Sequence, residues 1–132
     1  MITGGCLCGQ VRYEIDAPFE LASYCHCTRC QRRTGTAASA NAHTTESVFR
    51  VVAGAELVRE YQPADGAAKC FCSVCGGALW SRNATGAIGV RLGTVDGDPG
   101  IRPSLRQFVD YGCVWEELPD DGLQRFGERR PG

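Results

Sequence analysis

Nine cysteines stand in a chain of 132 residues, and eight of them fall into three tight groups. The first group is Cys6-Leu7-Cys8, and the second is Cys25-His26-Cys27-Thr28-Arg29-Cys30. The third is Cys70-Phe71-Cys72-Ser73-Val74-Cys75-Gly76-Gly77, while Cys113 stands alone. Thiolate is a preferred donor to zinc, which takes four ligands in a tetrahedron. Cys72-x-x-Cys75 followed by glycine is a tight turn that aims two thiolates at one ion. Gly76 lets the chain turn away without steric cost. Cys6 and Cys8 are two positions apart, so in an extended segment both side chains leave one face. The two pairs together make a closed four-thiolate site that clips the start of the chain to its middle.

Cys25, Cys27 and Cys30 remain, gathered on one short segment. Three local thiolates can hold a second zinc and leave its fourth position to water or substrate, the pattern of catalytic zinc. Cys30 falls in the first turn of a short helix, where backbone N–H groups favour a thiolate. Other groupings meet the same spacing. Cys27 and Cys30 could join Cys72 and Cys75 in a zinc ribbon, leaving Cys6 and Cys8 as incidental thiols. Cys70 shares a strand face with Cys72 and could close the second site, and His26 could replace one of its thiolates. Cys113 reads as a small core residue, and His43 as a surface or pocket-edge residue without a metal role. Around an open metal, Arg29, Arg32, Arg33, His26 and Trp80 are the candidate pocket residues. The arginines could orient a carboxylate, although a charged face on a short helix also serves plain solvation.

The alternative use of so many cysteines is a disulfide framework. An odd count leaves one thiol over, and nothing at the N-terminus resembles an export signal. The expected compartment is the cytoplasm, where thiols stay reduced. No segment is long enough to span a bilayer. With a net charge of −1, the chain has no basic footprint for nucleic acid or an anionic membrane surface.

A chain of this length suits one domain over residues 1–132. Its 17 glycines punctuate short apolar runs, which favours short strands over long helices. Gly9 to Ile15 alternates, with Val11, Tyr13 and Ile15 on one face, and reads as a half-buried strand. Pro18 ends it, and Phe19 to Tyr24 reads as a strand returning onto it. Thr28 to Gly35 is the one short helix, with Thr28 and Gln31 at capping-box spacing and Gly35 as its stop. Further strands are expected at Thr36–His43, Glu46–Val52, Leu57–Tyr61, Ile88–Leu92 and Leu105–Tyr111. The tail after Leu118 is turn-rich and charged. The expected class is mostly β, built of antiparallel sheets.

Three stretches carry a family resemblance. They are Gly5-Cys6-Leu7-Cys8-Gly9-Gln10-Val11-Arg12-Tyr13, Cys25 to Arg32, and Phe71-Cys72-Ser73-Val74-Cys75-Gly76. With Leu92-Gly93-Thr94-Val95-Asp96 and the ending Trp115 to Phe126, the chain resembles the glutathione-dependent formaldehyde-activating enzyme family, also called the centromere protein V family. The resemblance implies the β-tent fold of small antiparallel sheets clipped by zinc. It implies two zinc ions per chain: a structural one on Cys6, Cys8, Cys72 and Cys75, and a catalytic one on Cys25, Cys27 and Cys30. Cys70 stands outside the family pattern. The implied chemistry is that of a carbon–sulfur lyase acting on a thiol adduct like S-hydroxymethylglutathione, with a small thiol such as glutathione as partner. A second functional class fits the same residues: a binding module whose zinc ions only fold the chain. Coordination at Cys25, Cys27 and Cys30 separates the two, since a fourth protein ligand there closes the site.

Overall fold

The computed structural model describes residues 1–131. In chain order its strands are β1 (Ile2–Gly5), β2 (Arg12–Ile15), β3 (Leu21–Cys25), β4 (Ser39–Thr45), β5 (Phe49–Ala53) and β6 (Val58–Tyr61). They continue with β7 (Ala68–Cys72), β8 (Ala78–Arg82), β9 (Ala87–Arg91), β10 (Leu105–Gln107) and β11 (Gln124–Arg125). One helix, α1 (Thr28–Thr34), lies between β3 and β4. The molecule is mostly β, as its glycine-punctuated sequence implies.

A small antiparallel sheet has the order β1-β2-β5. A larger sheet runs β11-β10-β3-β4-β9-β8-β7-β6. It is antiparallel from β3 to β6, whereas β10 lies parallel to both β3 and β11. The alternation that marks β2 in the sequence is the alternation of its burial: Tyr13 and Ile15, with neighbouring Val11, are fully buried. Tyr13 stacks on Phe49 of β5 at 5.4 Å, and both rings meet Trp80 of β8 edge-on, at 6.1 and 4.8 Å. This trio joins the small sheet to the large one. Each such aromatic pair is worth roughly 0.5–1.5 kcal/mol beyond its buried area.

The structure departs from the sequence reading in several places. β3 does not return onto β2. It enters the large sheet between β4 and β10, with Ala22 and Ser23 fully buried. The last long strand is only three residues, because Phe108 takes a left-handed conformation (φ 57°) and turns the chain. β1, β8 and β11 lie outside the expected strands. The helix begins at Thr28 as expected, but its cap lies one residue earlier. Cys27, not Thr28, is the N-cap, and its Sγ accepts from the Cys30 N–H at 3.3 Å. Gly35 ends the helix as expected, with φ 70°.

Candidate metal centres

Two thiol groups form, and their membership matches one of the sequence groupings. The sulfurs of Cys6, Cys8, Cys72 and Cys75 all lie within 4.8 Å of one another, and so do those of Cys25, Cys27 and Cys30. The ribbon that mixes Cys27 and Cys30 with Cys72 and Cys75 does not form.

In the first group, Cys6 follows directly on β1, and the β7–β8 turn supplies Cys72 and Cys75. The Cys6 N–H donates to the Val11 carbonyl at 3.1 Å, while the Val11 N–H reaches back to the Cys6 Sγ at 3.3 Å. Across the turn, the Gly76 N–H donates to the Cys72 carbonyl at 2.8 Å, and Gly76 holds φ 73°. The Cys6–Cys8 and Cys8–Cys72 sulfur separations are 3.5 and 3.9 Å. Four sulfurs at about 2.3 Å from one zinc stand about 3.8 Å apart, so this group fits the ion. Backbone N–H groups of Cys8 and Gly77 bring the Cys75 thiol down to about 6.

In the second group, β3 ends at Cys25, Cys27 caps α1 and Cys30 lies in its first turn. Hydrogen bonds from the Cys25 and Cys30 thiols pull Cys27 down to about 2, while those with Cys27 and Cys30, and then burial, push Cys25 up. Like charges this close cannot all ionise unaided, and a divalent cation among them removes the conflict. The donor set thus fits zinc. No fourth Cys, His, Asp or Glu joins the trio among the described residues.

The residues proposed to close it are elsewhere. Cys70 is buried beside Glu60, its Sγ 3.4 Å from Glu60 Oε1, and burial followed by the Glu60 charge raises its thiol to about 12. His26 is buried with its Nε2 3.2 Å from the Arg106 guanidinium. Burial, then the Arg106 charge, holds its imidazole below the ordinary range. Arg106 also donates to Asp121 at 2.8 Å and lies 4.4 Å over the Tyr24 ring. The Gln107 carbonyl accepts the His26 N–H at 3.0 Å, and Gln31 Nε2 donates to the His26 carbonyl at 2.8 Å. His26 therefore anchors the loop on which the trio sits. Cys113 belongs to neither group.

A cavity of about 850 Å³ opens in front of the trio, and Cys25, Cys27 and Cys30 form part of its wall. Of the candidate pocket residues only Arg29 lines it, and its guanidinium is paired with Asp65. Arg33 is turned into the sheet, donating to Ser81 Oγ at 2.9 Å and to the Cys70 and Trp80 carbonyls at 2.6 and 3.1 Å. Arg32 faces a separate groove with Tyr61 and Phe71. Trp80 is core. His43 lines the cavity, consistent with a pocket-edge residue.

Three polar wall residues on central strands are among those that escaped the sequence reading. They are Asn41 on β4, Lys69 on β7 and Arg91 on β9. Arg91 is 8% exposed and donates to Asn41 Oδ1 at 2.5 Å and to Ser81 Oγ at 3.0 Å. The visible signal was a charged residue closing the apolar run Ala87-Ile88-Gly89-Val90.

The model of the family described as glutathione-dependent formaldehyde-activating enzyme matches residues 1–111. The chain belongs to that family. Both thiol groups and the first ten strands up to Gln107 fall inside the match. A crystal structure of a Rhodobacter sphaeroides protein is similar at 27% identity and a TM-score of 0.60. The similarity covers 94% of this chain and 98% of that one. No curated protein sequence matches the chain. No helix among the described residues is long and apolar enough to cross a membrane.

Proposed function

We propose that the chain is a two-zinc enzyme of the carbon–sulfur lyase type. Cys6, Cys8, Cys72 and Cys75 would hold a structural zinc, and Cys25, Cys27 and Cys30 a catalytic one. The observation that carries this reading is the trio itself: three thiols in a cavity wall, with no fourth protein donor among the described residues. When bound, such a zinc supplies Lewis acidity, which lowers the pKa of a thiol and polarises a carbonyl. The family name points to glutathione and formaldehyde as the reacting pair. In the forward direction the thiol adds across the C=O bond: sulfur bonds to carbon, and the proton ends on oxygen. The reverse breaks the C–S bond and returns thiol and aldehyde.

This chain's own part is to hold and surround the reactants. The helix start presents N–H groups to Cys27, and Arg91 and Lys69 place positive charge along the wall beside the trio. The reading as a purely structural module called for Cys70 or His26 on the second metal, and both are engaged elsewhere.

The test is exchange of zinc for cobalt, followed by titration with glutathione and simpler thiols. Visible bands that shift with a thiol, and lose that response in Cys27→Ala, support the open site. Exchange NMR of formaldehyde with the same thiol then reads the lyase step. Bands unmoved by every thiol sink the proposal.

A further inference from the structure

The loop from Cys113 to Asp120 lies between β10 and β11 in the chain, at the edge of the large sheet that these two strands form. It holds neither helix nor strand, and none of its backbone groups pairs with another backbone group among the described residues. Its ends are pinned nonetheless. Gln31 Nε2 donates to the Tyr111 carbonyl at 2.9 Å, and the Arg125 guanidinium donates to the Pro119 carbonyl at 2.9 Å. Between these pins Val114 is wholly exposed and Trp115 is 66% exposed. Glu116, Glu117 and Asp120 follow, and none of them has a cationic partner among the described residues. Single exposed apolar side chains are ordinary, so Val114 and Trp115 alone assign nothing.

Their complement lies at the opposite edge of the same sheet. A groove of about 720 Å³ opens beside Tyr61 of β6, the last strand there, with Pro63, Phe71 and Ala78 completing its apolar lining. Arg32 and Lys69 stand in its wall, and neither meets a carboxylate among the described residues. The groove thus sets apolar contact beside unneutralised cations, and the loop sets apolar side chains beside unneutralised carboxylates. Opposite charges arranged in this way steer association and fix register. The loop and the groove of one chain are held apart. β3, β4, β9 and β8 separate β10 from β7 in the sheet. Helix α1 stands between them as well. At about 100° per residue, Gln31, which holds the loop, points away from Arg29 and Arg33, which line the groove.

We propose that the Cys113–Asp120 loop docks into this groove on a second copy of the chain. Val114 and Trp115 lie against Tyr61 and Phe71, and the acidic residues meet Arg32 and Lys69. Trp and Arg are the side chains that most often carry the energy of such contacts. A loop already pinned at both ends loses little freedom when it docks. Loop and groove are different surfaces and every copy offers one of each, so the copies associate head to tail or by reciprocal exchange. The contact is independent of the lyase reading and stands whether or not the trio holds a reactive zinc.

Sedimentation velocity of the zinc-loaded full chain, from low-micromolar to near-millimolar concentration, reads the association. The wild type should gain mass with concentration, and less so at high salt. Trp115 emission should shift to the blue over the same range, against a constant signal from the buried Trp80. Trp115→Ala and Tyr61→Ala should each raise the dissociation constant at least about tenfold, and Arg32→Glu should do the same. Val114→Ser repeats the loop arm at a wholly exposed position, where the fold is not at risk. An equimolar mixture of Trp115→Ala and Tyr61→Ala keeps one intact groove and one intact loop. It should form 1:1 pairs more tightly than either variant associates with itself. A wild type that stays monomeric throughout overturns the proposal. So does association that these variants leave unchanged, or a mixture no tighter than its parents. Blue-shifted Trp115 emission at every concentration would place the loop on its own chain and overturn the proposal too.

Discussion

The two thiol groups use the same side chain for opposite structural ends. Cys6 and Cys8 meet Cys72 and Cys75 across more than sixty residues of chain, and they tie the small sheet's first strand to the β7–β8 turn. Cys25, Cys27 and Cys30 come from one loop and tie nothing distant together. The first group has four donors and no other duty. The second has three donors, a cavity in front of it and a buried polar network behind it. Long-range closure thus goes with a full ligand set, and local closure with an open one. On the two-zinc proposal, the fold can spare a ligand only where the metal would not hold the fold.

The largest break in this comparison comes from removing one thiol from each group. Cys72→Ala should unfold or insolubilise the protein. A structural zinc contributes on the order of 10 kcal/mol to folding, against a total stability of about 5–15 kcal/mol. Cys27→Ala should keep the fold, lower the melting temperature by a few degrees and reduce the zinc content from two to one per chain. Thermal melting and elemental analysis read both, and equal melting temperatures would contradict the division of labour.

Metal removal should follow the same order. A chelator titrated against the zinc protein is expected to withdraw about one equivalent first, while the circular dichroism of the sheets persists. The second equivalent should leave together with the fold. Simultaneous release of both would mean that the groups are not independent.

Smaller effects probe what holds the trio in place. Arg106→Met removes a buried guanidinium that joins His26, Asp121 and the Tyr24 ring. Loss of its charged hydrogen bonds should lower stability by about 2–3 kcal/mol. The positioning role has its own signature: metal affinity of the trio should fall while the Cys6/Cys8/Cys72/Cys75 group keeps its zinc. Denaturant melts give the first quantity and competition with a zinc dye the second.

The grouping of the thiols was legible because ligand spacing is local information. Cys72-x-x-Cys75-Gly and Cys6-x-Cys8 specify turn and face within a few residues, and Cys25, Cys27 and Cys30 stand close enough in sequence to meet as a local trio. The pocket was not legible from spacing. Asn41, Lys69, Ser81 and Arg91 sit on four different strands and meet only through the order β4-β9-β8-β7, which is non-local pairing. The helix arginines illustrate the converse error. Arg33 lies near the trio in sequence, yet its guanidinium is spent on carbonyls of β7 and β8. Strand boundaries failed for a similar reason: nothing near Ala22 shows that β3 pairs with β4 and β10 rather than with β2.

The smallest predicted effect concerns His43, which lines the open cavity and has no counterpart near the closed group. It sits on β4 opposite Leu21 and Gly89, and the charges around it are Arg130, Glu20 and Arg91. Burial, and next the Arg130 charge, lower its imidazole pKa below 6.5. The folded state thus resists a proton that the unfolded chain accepts. Stability follows the difference in bound protons, so it rises with pH wherever the unfolded state binds more of them. The contribution is full above about pH 6.5, the unfolded value. It is lost as pH falls from there toward the folded pKa, and below that it changes no further. His43→Gln deletes this slope and leaves every thiol in place. Acid also weakens thiolate–metal bonds, but it does so in both proteins, and the difference between them isolates the histidine. Urea midpoints at pH 7.5 and 5.5 should drop further in the wild type than in His43→Gln. Parallel drops would mean that His43 accepts its proton freely in the folded state, and that the cavity wall around it is as wet as the outer surface.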